Sequence, residues 1–446
     1  MATHKMLRLS SLLRPRTLAS QRRSSTTTTP RKTSEPLKIL FCGSDEFSAT
    51  SLSALNQERA RNPSLIHSID VLVRPPKPTG RGYKVLREVP LQSVARSLSL
   101  PLHTLNTFTG WTPSLPYNLI IAVSFGLFVP RRILRSAKYG GLNVHPSLLP
   151  DLRGPAPLHH ALLAGRTHTG VSLQTLSEEG FDSGEVLAQT PMPGIEIGEG
   201  MDVPGLRDVL AAAGAEMLVE GLRKGVHVPP REDVGWVPDE EETKAIRHAP
   251  KITKGDSEVR WGRWSAETMA LRARVLGDAL WSRALVRDGK VKRVILHGVE
   301  KVSPSEASPD VVRYVQGGRG ERRVMKDEGL VRFVAWLRSE PGQDAAKGQA
   351  DAEWAAIPYI EDHSAEGAVV VPFAGSDCVR IRQIKLEGEK SCSAAAGFRR
   401  ISYTAEEFRK LKDDPRYGGD ETTTAGSMGA DAIGLGIMGL LEGLLD

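Results

Sequence analysis

The chain contains 446 residues, with 59 Lys or Arg and 53 Asp or Glu, so its formal net charge is +6. With 40% hydrophobic and 25% charged residues it has the composition of a globular protein, which excludes a mainly disordered, collagen-like or disulfide-stapled chain. Its three cysteines form no C-x-x-C pair and no apolar run reaches about 18 residues, so we expect a reducing compartment, no metal site and no membrane span.

The N-terminal segment, residues 1–36, has eight basic residues and one acidic residue, a net charge of 8 − 1 = +7. It is rich in Ser and Thr, and its leucines stand beside arginines at a spacing that fits one helical face. These features are typical of a mitochondrial transit peptide. We therefore expect a removable leader without fixed structure and a location in the mitochondrial matrix. A disordered basic tail, with or without a nucleic-acid ligand, is the alternative.

Strand and helix patterns alternate through residues 37–225. One short apolar run begins at Leu37, and three others cover 69–76, 118–125 and 170–176, with helical patterns between them. This alternation predicts an α/β fold built on a parallel sheet. The ligand site of such a sheet lies at the carboxyl ends of its strands.

The rest of the chain has a different texture. Prolines and an acidic cluster indicate a linker at 226–250, and short alternating runs predict a small β domain at 251–400. An Ala-, Gly- and acid-rich stretch at about 339–368 reads as an inserted loop, and 401–446 as a tail. Residues 247–338 carry 20 basic and 11 acidic residues, 20 − 11 = +9, so the positive charge is concentrated after the linker.

The most informative stretch begins NVHPSLLP, and it follows the predicted strand at 118–125 and the segment GLFVPRRILRSAKYGG. Asn143 and His145 are two residues apart, so in an extended segment an amide and an imidazole point to the same face. Asp182 follows in an acidic turn between Gly180 and Gly184, where glycine permits a tight bend. Without a nucleophilic Ser or Cys, this set suits acyl transfer to an amine that the substrate supplies. Singly, each could instead be a satisfied polar residue, and Asp182 a turn residue or a helix N-cap.

The order of the motifs from about Leu37 to Leu285 resembles the methionyl-tRNA formyltransferase family. The matching segments are LKILFCGSDEF, RPPKPTGRG, AVSFGLFVP, NVHPSLLPDLRG, TGVSLQTLSEEGFDSGEVL and HAPKITKGDSEVRW. The NVHPSLLP motif with FDSG about 30 residues later is specific for folate-dependent formyltransferases, and APKIT with a basic C-terminal domain points to the tRNA member.

The resemblance implies a Rossmann-like parallel-sheet formyltransferase domain followed by a small OB-like β-barrel domain. It also implies that Asn143, His145 and Asp182 are catalytic. The reaction would transfer the formyl group of 10-formyltetrahydrofolate to the α-amine of methionyl-initiator tRNA in mitochondrial translation initiation. Folate would be a consumed co-substrate, with no metal and no permanently bound cofactor. The residues implied to line the folate site are Ser147, Leu148, Leu149, Pro150, Ser124, Phe125, Gly126 and Leu127.

Two basic groups are the expected RNA contacts, the first implied by the resemblance and the second by the concentration of positive charge after the linker. The first lies in a Pro/Gly-rich loop that would reach the acceptor stem and contains Arg74, Lys77, Arg81 and Lys84. The second lies at the start of the basic block and contains Lys251, Lys254, Arg260 and Arg263. Phosphate contacts of this kind supply affinity that falls with salt. We expect a monomer whose partners are initiator methionyl-tRNA and 10-formyltetrahydrofolate.

Several other functions fit parts of the pattern. A formyltetrahydrofolate hydrolase or a small-amine formyltransferase would use the same three residues, but the basic C-terminal domain argues against both. A noncatalytic RNA-binding module would not need all three. A nicotinamide oxidoreductase is disfavoured because the turn after the first strand reads CGSDEF and lacks G-x-G-x-x-G.

Overall fold

The computed structural model describes residues 32–79, 85–277, 279–337, 354–373 and 376–412. Four sequence predictions therefore lie wholly or partly outside the described residues: the leader up to residue 31, the RNA contacts Arg81 and Lys84, the first part of the insertion, and the tail beyond residue 412.

The first domain is built on a seven-stranded sheet. Its strands and the two small ribbons beside it are β1 (Leu37–Gly43), β2 (Ile66–Val73), β3 (Lys77–Thr79), β4 (Val85–Arg87), β5 (Leu102–Thr104), β6 (Leu119–Val123), β7 (Gly141–His145), β8 (His168–Thr169), β9 (Ser172–Thr175), β10 (Val186–Gln189) and β11 (Ile195–Glu196). The sheet order is β10-β9-β7-β6-β1-β2-β5, while β3 pairs with β4 and β8 with β11.

Strands β1, β2, β5, β6 and β7 are parallel, which confirms the predicted parallel-sheet domain. The predicted strand at 170–176 does extend this sheet, but β9 runs antiparallel to β7. A parallel pairing needs a crossover that returns the chain to the opposite end of the sheet. The helix between β7 and β9 covers only Pro157–Leu163, about 10 Å at 1.5 Å per residue, so the chain re-enters at the carboxyl end.

Among the described residues, six helices belong to this domain and the linker. They are α1 (Glu46–Arg61), α2 (Pro90–Ser97), α3 (Arg131–Leu134), α4 (Pro157–Leu163), α5 (Val203–Lys224) and α6 (Glu240–Ala245). Asp45 and Asp202 cap α1 and α5 by accepting from backbone N–H groups in their first turns. Helices α1 and α5 pack together over one face of the sheet, and segments around Phe108 and Phe125 cover the other.

Residues 32–36, predicted as the end of the leader, contact the first domain. The backbone N–H of Glu35 donates to the Tyr139 hydroxyl at 2.9 Å, and the Ser34 hydroxyl lies 3.0 Å from Nε2 of the buried His227. The folded part of the chain therefore begins before the boundary predicted at residue 36.

The second domain confirms the predicted β-barrel. Its strands are β12 (Leu280–Leu285), β13 (Val291–Val302), β14 (Val331–Leu337), β15 (Trp354–Asp362), β16 (Ala368–Pro372), β17 (Cys378–Leu386), β18 (Cys392–Ser393) and β19 (Ser402–Tyr403). The antiparallel order β12-β13-β17-β16-β15-β14 closes where Ala284 on β12 pairs with Trp336 on β14. Inside the barrel, Trp336 stacks on Trp261 with ring centroids 5.0 Å apart.

Helices surround this barrel. They are α7 (Ala266–Val275), α8 (Pro309–Gln316), α9 (Arg319–Asp327), α10 (Ala394–Ile401) and α11 (Ala405–Lys412). None of the helices within the described ranges is long and apolar enough to cross a membrane.

Two predicted boundaries in this domain are wrong. The predicted inserted loop at about 339–368 contains β15, a barrel strand whose Tyr359 is buried, although its alanines and Pro358 read as loop. The predicted tail from residue 401 begins inside the fold, because β19 pairs with β14 and Phe408 on α11 packs against Phe333.

Candidate functional site

Polar side chains converge where β7 meets β9. The antiparallel register places Asn143 opposite Gln174 and His145 opposite Ser172, so all four side chains share one face of the sheet. The pair on β7 was predicted from the sequence, whereas the pair on β9 was not. The available signal was the same alternation of polar residues, at 172 and 174 in the strand SLQT.

The carboxylate of Asp182 lies at the centre of this group. Its Oδ1 accepts from Asn143 Nδ2 at 3.3 Å and from Gln174 Nε2 at 3.1 Å, and its Oδ2 accepts from the Gly154 N–H at 3.0 Å. His145 Nδ1 is 3.3 Å from the same Oδ1. Three of these four groups therefore converge on Oδ1, while the Gly154 N–H holds Oδ2. The structure thus brings the three predicted catalytic side chains together around one carboxylate.

His145 contacts two hydrogen-bond acceptors. Its Nε2 lies 3.0 Å from the Leu152 carbonyl oxygen, and its Nδ1 faces Asp182. A carbonyl oxygen only accepts, so Nε2 donates to Leu152, and Nδ1 is the ring nitrogen that faces Asp182. The side chain is 6% exposed. This geometry suits proton transfer through Nδ1, with a carboxylate beside it.

The turn that carries Asp182 is held against β9 by a close backbone approach. A Cβ on Gly184 would lie 1.8 Å from the Thr175 carbonyl oxygen, so only glycine fits there. The Gly184 N–H also donates to Gln174 Oε1 at 3.3 Å. Gln174 therefore bonds both to the turn and to the carboxylate that the turn presents.

The SLLP part of the first motif is supported mainly by its own buried groups. Ser147 is 1% exposed and its hydroxyl donates to the Asp151 carbonyl at 2.6 Å. Leu148 and Leu149 are also buried, while Pro150 is half-buried. The Leu149 carbonyl accepts from Gln189 Nε2 at 2.8 Å. The first three side chains thus stabilise the loop, and Pro150 is the most exposed of the four residues.

The other predicted folate-lining stretch follows β6. Phe125 is buried against Phe108, whereas Ser124 and Gly126 are exposed and Leu127 is half-buried. Ser124 has a φ of 48°, which turns the chain outward at the carboxyl end of the strand. Burial raises the pKa of the neighbouring Asp45 carboxyl, which accepts a hydrogen bond from the Ser124 side chain.

An exposed aromatic pair lies next to these residues and was not identified in the sequence. Phe128 and Phe181 meet edge to face with ring centroids 5.4 Å apart, and they are 37% and 63% exposed. Phe181 directly precedes Asp182, and Phe128 lies two residues after Gly126. The available signal was a large apolar residue beside each polar motif, in a turn where burial is not expected.

The predicted RNA contacts that lie among the described residues are exposed or half-buried on the two domains. Arg74 follows β2 and is half-buried, and Lys77 is exposed on β3. The predicted contacts after the linker are also exposed: Lys251, Lys254, Arg260 and Arg263. Across the described part of the chain, no group of three His, Cys, Asp or Glu side chains offers a metal site.

Comparison with known proteins identifies similar chains. The family model described as "Formyl transferase" matches residues 37–222. The mitochondrial methionyl-tRNA formyltransferase of Saccharomyces cerevisiae is 33% identical over 309 residues, 59% of this chain and 75% of that protein. The methionyl-tRNA formyltransferase of Granulibacter bethesdensis is 33% identical over 60% of this chain and 80% of that protein. Among solved structures, a sugar N-formyltransferase from a Shewanella species has a TM-score of 0.41 at 15% identity, over 57% of this chain and 94% of that one.

Proposed function

Since the chain belongs to the methionyl-tRNA formyltransferase family, it is a formyltransferase, and we propose that Asn143, His145 and Asp182 catalyse its reaction. The reaction transfers a formyl group to the α-amine of methionyl-initiator tRNA. One observation carries the proposed roles: the Asp182 carboxylate contacts both the Asn143 amide and the His145 imidazole.

The chemistry requires charge stabilisation and a proton transfer. The amine nitrogen attacks the formyl carbon of 10-formyltetrahydrofolate, and negative charge develops on the formyl oxygen. The new C–N bond forms, the bond from the formyl carbon to N10 of folate breaks, and the proton that the amine loses goes to N10. The products are formyl-methionyl-tRNA and tetrahydrofolate.

Each of the three residues has a role that its contacts support. Asn143 has a second amide N–H beyond the one it donates to Asp182, and it supplies that donor to the developing oxyanion; one such donor contributes about 3 to 4 kcal/mol in studied enzymes. Asp182 orients the Asn143 amide and the His145 imidazole. The proton that the amine loses passes to His145 Nδ1, where the adjacent carboxylate stabilises the imidazolium that forms, and then to N10. Because Gln174 and Gly154 hold the carboxylate as well, the group is preorganised before the substrate arrives.

The folate co-substrate fits the exposed edge beside these residues. The flat, partly apolar pterin ring suits contact with the aromatic pair Phe128 and Phe181, and the exposed backbone of Ser124 and Gly126 offers hydrogen-bonding groups. We assign Leu127 and Pro150 to the same site because they are half-buried at its rim. In this proposal the buried Ser147, Leu148, Leu149 and Phe125 shape the site from behind.

The tRNA is assigned to the basic residues. Lys251 and Lys254 begin the second domain directly after the linker, and Arg260 and Arg263 precede α7. Their exposed charges suit phosphate groups of an acceptor stem that enters the active site. Lys77 would contact the same stem from the first domain. For the protein as a whole, we propose action as a monomer in the mitochondrial matrix, supported by the basic residues 1–36 and the mitochondrial relative.

The direct test mixes purified protein, beginning at residue 32, with 10-formyltetrahydrofolate and methionyl-initiator tRNA. Formyl-methionine on the tRNA, with stoichiometric tetrahydrofolate, is the expected result. Release of formate without transfer would instead support a formyltetrahydrofolate hydrolase. Transfer to a free small amine but not to methionyl-tRNA would support a small-amine formyltransferase.

A further inference from the structure

The last part of the linker, residues 245–250, runs beside residues 151–156, here called the support loop. The two backbones run parallel, with a bridge between Arg153 and His248. Three hydrogen bonds join them: Leu152 N to Arg247 O at 2.8 Å, Ala249 N to Arg153 O at 2.7 Å, and Ala156 N to Ala249 O at 3.1 Å. The connection between the domains is thus built into the first domain as an added strand-like edge.

The same support loop holds the two catalytic groups. The Leu152 carbonyl accepts from His145 Nε2, and the Gly154 N–H donates to Asp182 Oδ2. Leu152 has a φ of 57°, a left-handed conformation in which its N–H faces the linker and its carbonyl faces the imidazole. Such a conformation persists in a non-glycine residue where surrounding contacts impose it. Here those contacts come from the linker and from His145.

Two charged side chains fasten the linker to the loop. Asp151 accepts from the Arg247 N–H at 2.9 Å, and Arg166 Nη2 lies 3.1 Å from the Asp151 carboxylate. The same nitrogen of Arg166 donates to the Ala245 carbonyl at 2.7 Å. Neither side chain touches the catalytic groups, since Asp151 and Arg166 bond to the linker and to each other.

The backbones of the linker and the support loop are in close contact at Gly154 and Ala249. A Cβ on Gly154, whose φ is 127°, would lie 2.4 Å from the Ala249 carbonyl oxygen. Ala249 is completely buried, although its neighbours His248 and Pro250 are exposed. A displacement of the linker must therefore displace Gly154, whose N–H contacts the catalytic carboxylate.

We propose that linker residues 245–250 position His145 and Asp182 for formyl transfer, with Asp151 and Arg166 as positioning residues. The inference rests on the proposed function of the catalytic group. The linker leads directly into Lys251 and Lys254, so RNA bound there also holds the element that orders the active site. In this arrangement the second domain contributes to turnover as well as to affinity.

The test uses full-length Arg166→Ala and Asp151→Ala proteins. Because a small misplacement of catalytic groups costs about 10- to 100-fold in rate, we expect kcat to fall at least about tenfold at saturating substrates. The KM for methionyl-tRNA should change less than about twofold, since no RNA contact is removed. Asp151→Asn keeps an acceptor for the Arg247 N–H and should recover part of kcat. Arg96→Ala is the matched control, because it removes an arginine paired with Glu88 away from the linker.

A second readout does not depend on catalysis. Hydrogen–deuterium exchange of peptides covering 151–156 should become faster in Arg166→Ala and stay unchanged in Arg96→Ala. Wild-type kcat together with unchanged exchange in both Arg166→Ala and Asp151→Ala would overturn the inference. A change in the KM for methionyl-tRNA with unchanged kcat would also overturn it. A wild-type protein that forms no formyl-methionyl-tRNA would instead overturn the proposed function, and the exchange result would still decide whether the linker orders the loop.

Discussion

His145 Nδ1 lies 3.3 Å from Asp182 Oδ1, a contact that joins the end of β7 to the turn after β9. The contact exists because β9 runs antiparallel to β7, so the turn leaving β9 folds back over Gln174 and Thr175. The Asp182 carboxylate therefore stays in contact with the His145 imidazole only if this turn is held close to β9. The roles of both residues can be tested one atom at a time.

Asp182→Asn should lower the rate of formyl transfer by about 100-fold or more, because preorganised charge is lost where the imidazolium forms. The substitution replaces an acceptor oxygen by an NH2 group facing donors from Asn143, Gln174 and Gly154. Single-turnover formylation of methionyl-tRNA measures the effect. Glu185→Gln is the control, because it neutralises an exposed acid in the same turn. Equal rates in the two variants would show that Asp182 has no special role.

Asn143→Ala and His145→Ala should each reduce kcat by about two orders of magnitude while the proteins stay folded. Both side chains contact the same carboxylate oxygen, Asp182 Oδ1, so they act as one unit. The loss of rate in the double variant should therefore be much smaller than the product of the two single losses. Steady-state kinetics with circular dichroism as the folding check provide the measurement. A strictly multiplicative loss would mean that the two side chains act at separate steps.

The sequence was sufficient for the parts of this site that depend on local geometry. Asn143 and His145 share a face because they are two residues apart in a strand, and the glycine at 184 marks a close turn. Gln174, Gly154 and the Leu152 carbonyl were not found, because they join the site through strand direction and long-range pairing. Its prolines and acids identify 226–250 only as a linker, whereas the backbone of its last part is paired with the support loop.

The N-terminal residues 32–36 should stabilise the first domain. A protein that begins at residue 37 should melt several degrees below one that begins at residue 32. It lacks Ser34, whose hydroxyl is the hydrogen-bond partner of Nε2 of the buried His227. An unsatisfied buried polar group costs about 1 to 3 kcal/mol. Differential scanning calorimetry of the two proteins compares them directly, with Ser34→Ala separating the side-chain contact from the deletion. Identical melting temperatures would show that these contacts contribute nothing.

His227 should make stability depend on pH. Burial lowers its pKa to about 4, with a further contribution from the positive charge of Arg231. Between pH 6.5, the ordinary pKa of histidine, and about pH 4, the unfolded state binds a proton at His227 that the folded state does not. The stability that neutral His227 contributes is therefore fully present above pH 6.5. It is lost as the pH falls towards 4, which lowers the free energy of unfolding by at most about 3 kcal/mol.

The measurement of that dependence is urea unfolding at several pH values. The His227→Asn protein should lose less stability than the wild type between pH 7 and 5, whereas the exposed His168→Asn should follow the wild type. If His227→Asn does not fold, His227→Phe retains an aromatic edge against Tyr139 and provides the same comparison. Parallel curves for wild type and both His227 variants would contradict the prediction.

Lys251 and Arg260 should contribute to tRNA affinity through charge alone. The double substitution Lys251→Ala and Arg260→Ala should weaken tRNA binding and reduce the slope of log K against log salt by about 1 to 2, since each phosphate contact contributes just under one. Folate binding should be spared, because both side chains are exposed on the second domain. Fluorescence anisotropy with labelled tRNA at several salt concentrations measures both quantities. The matched control neutralises two basic residues whose charges are already paired, Lys290 with Asp288 and Lys410 with Glu406. An equal loss in both proteins would mean that the tRNA responds to total charge, and the assignment of these two residues would fall.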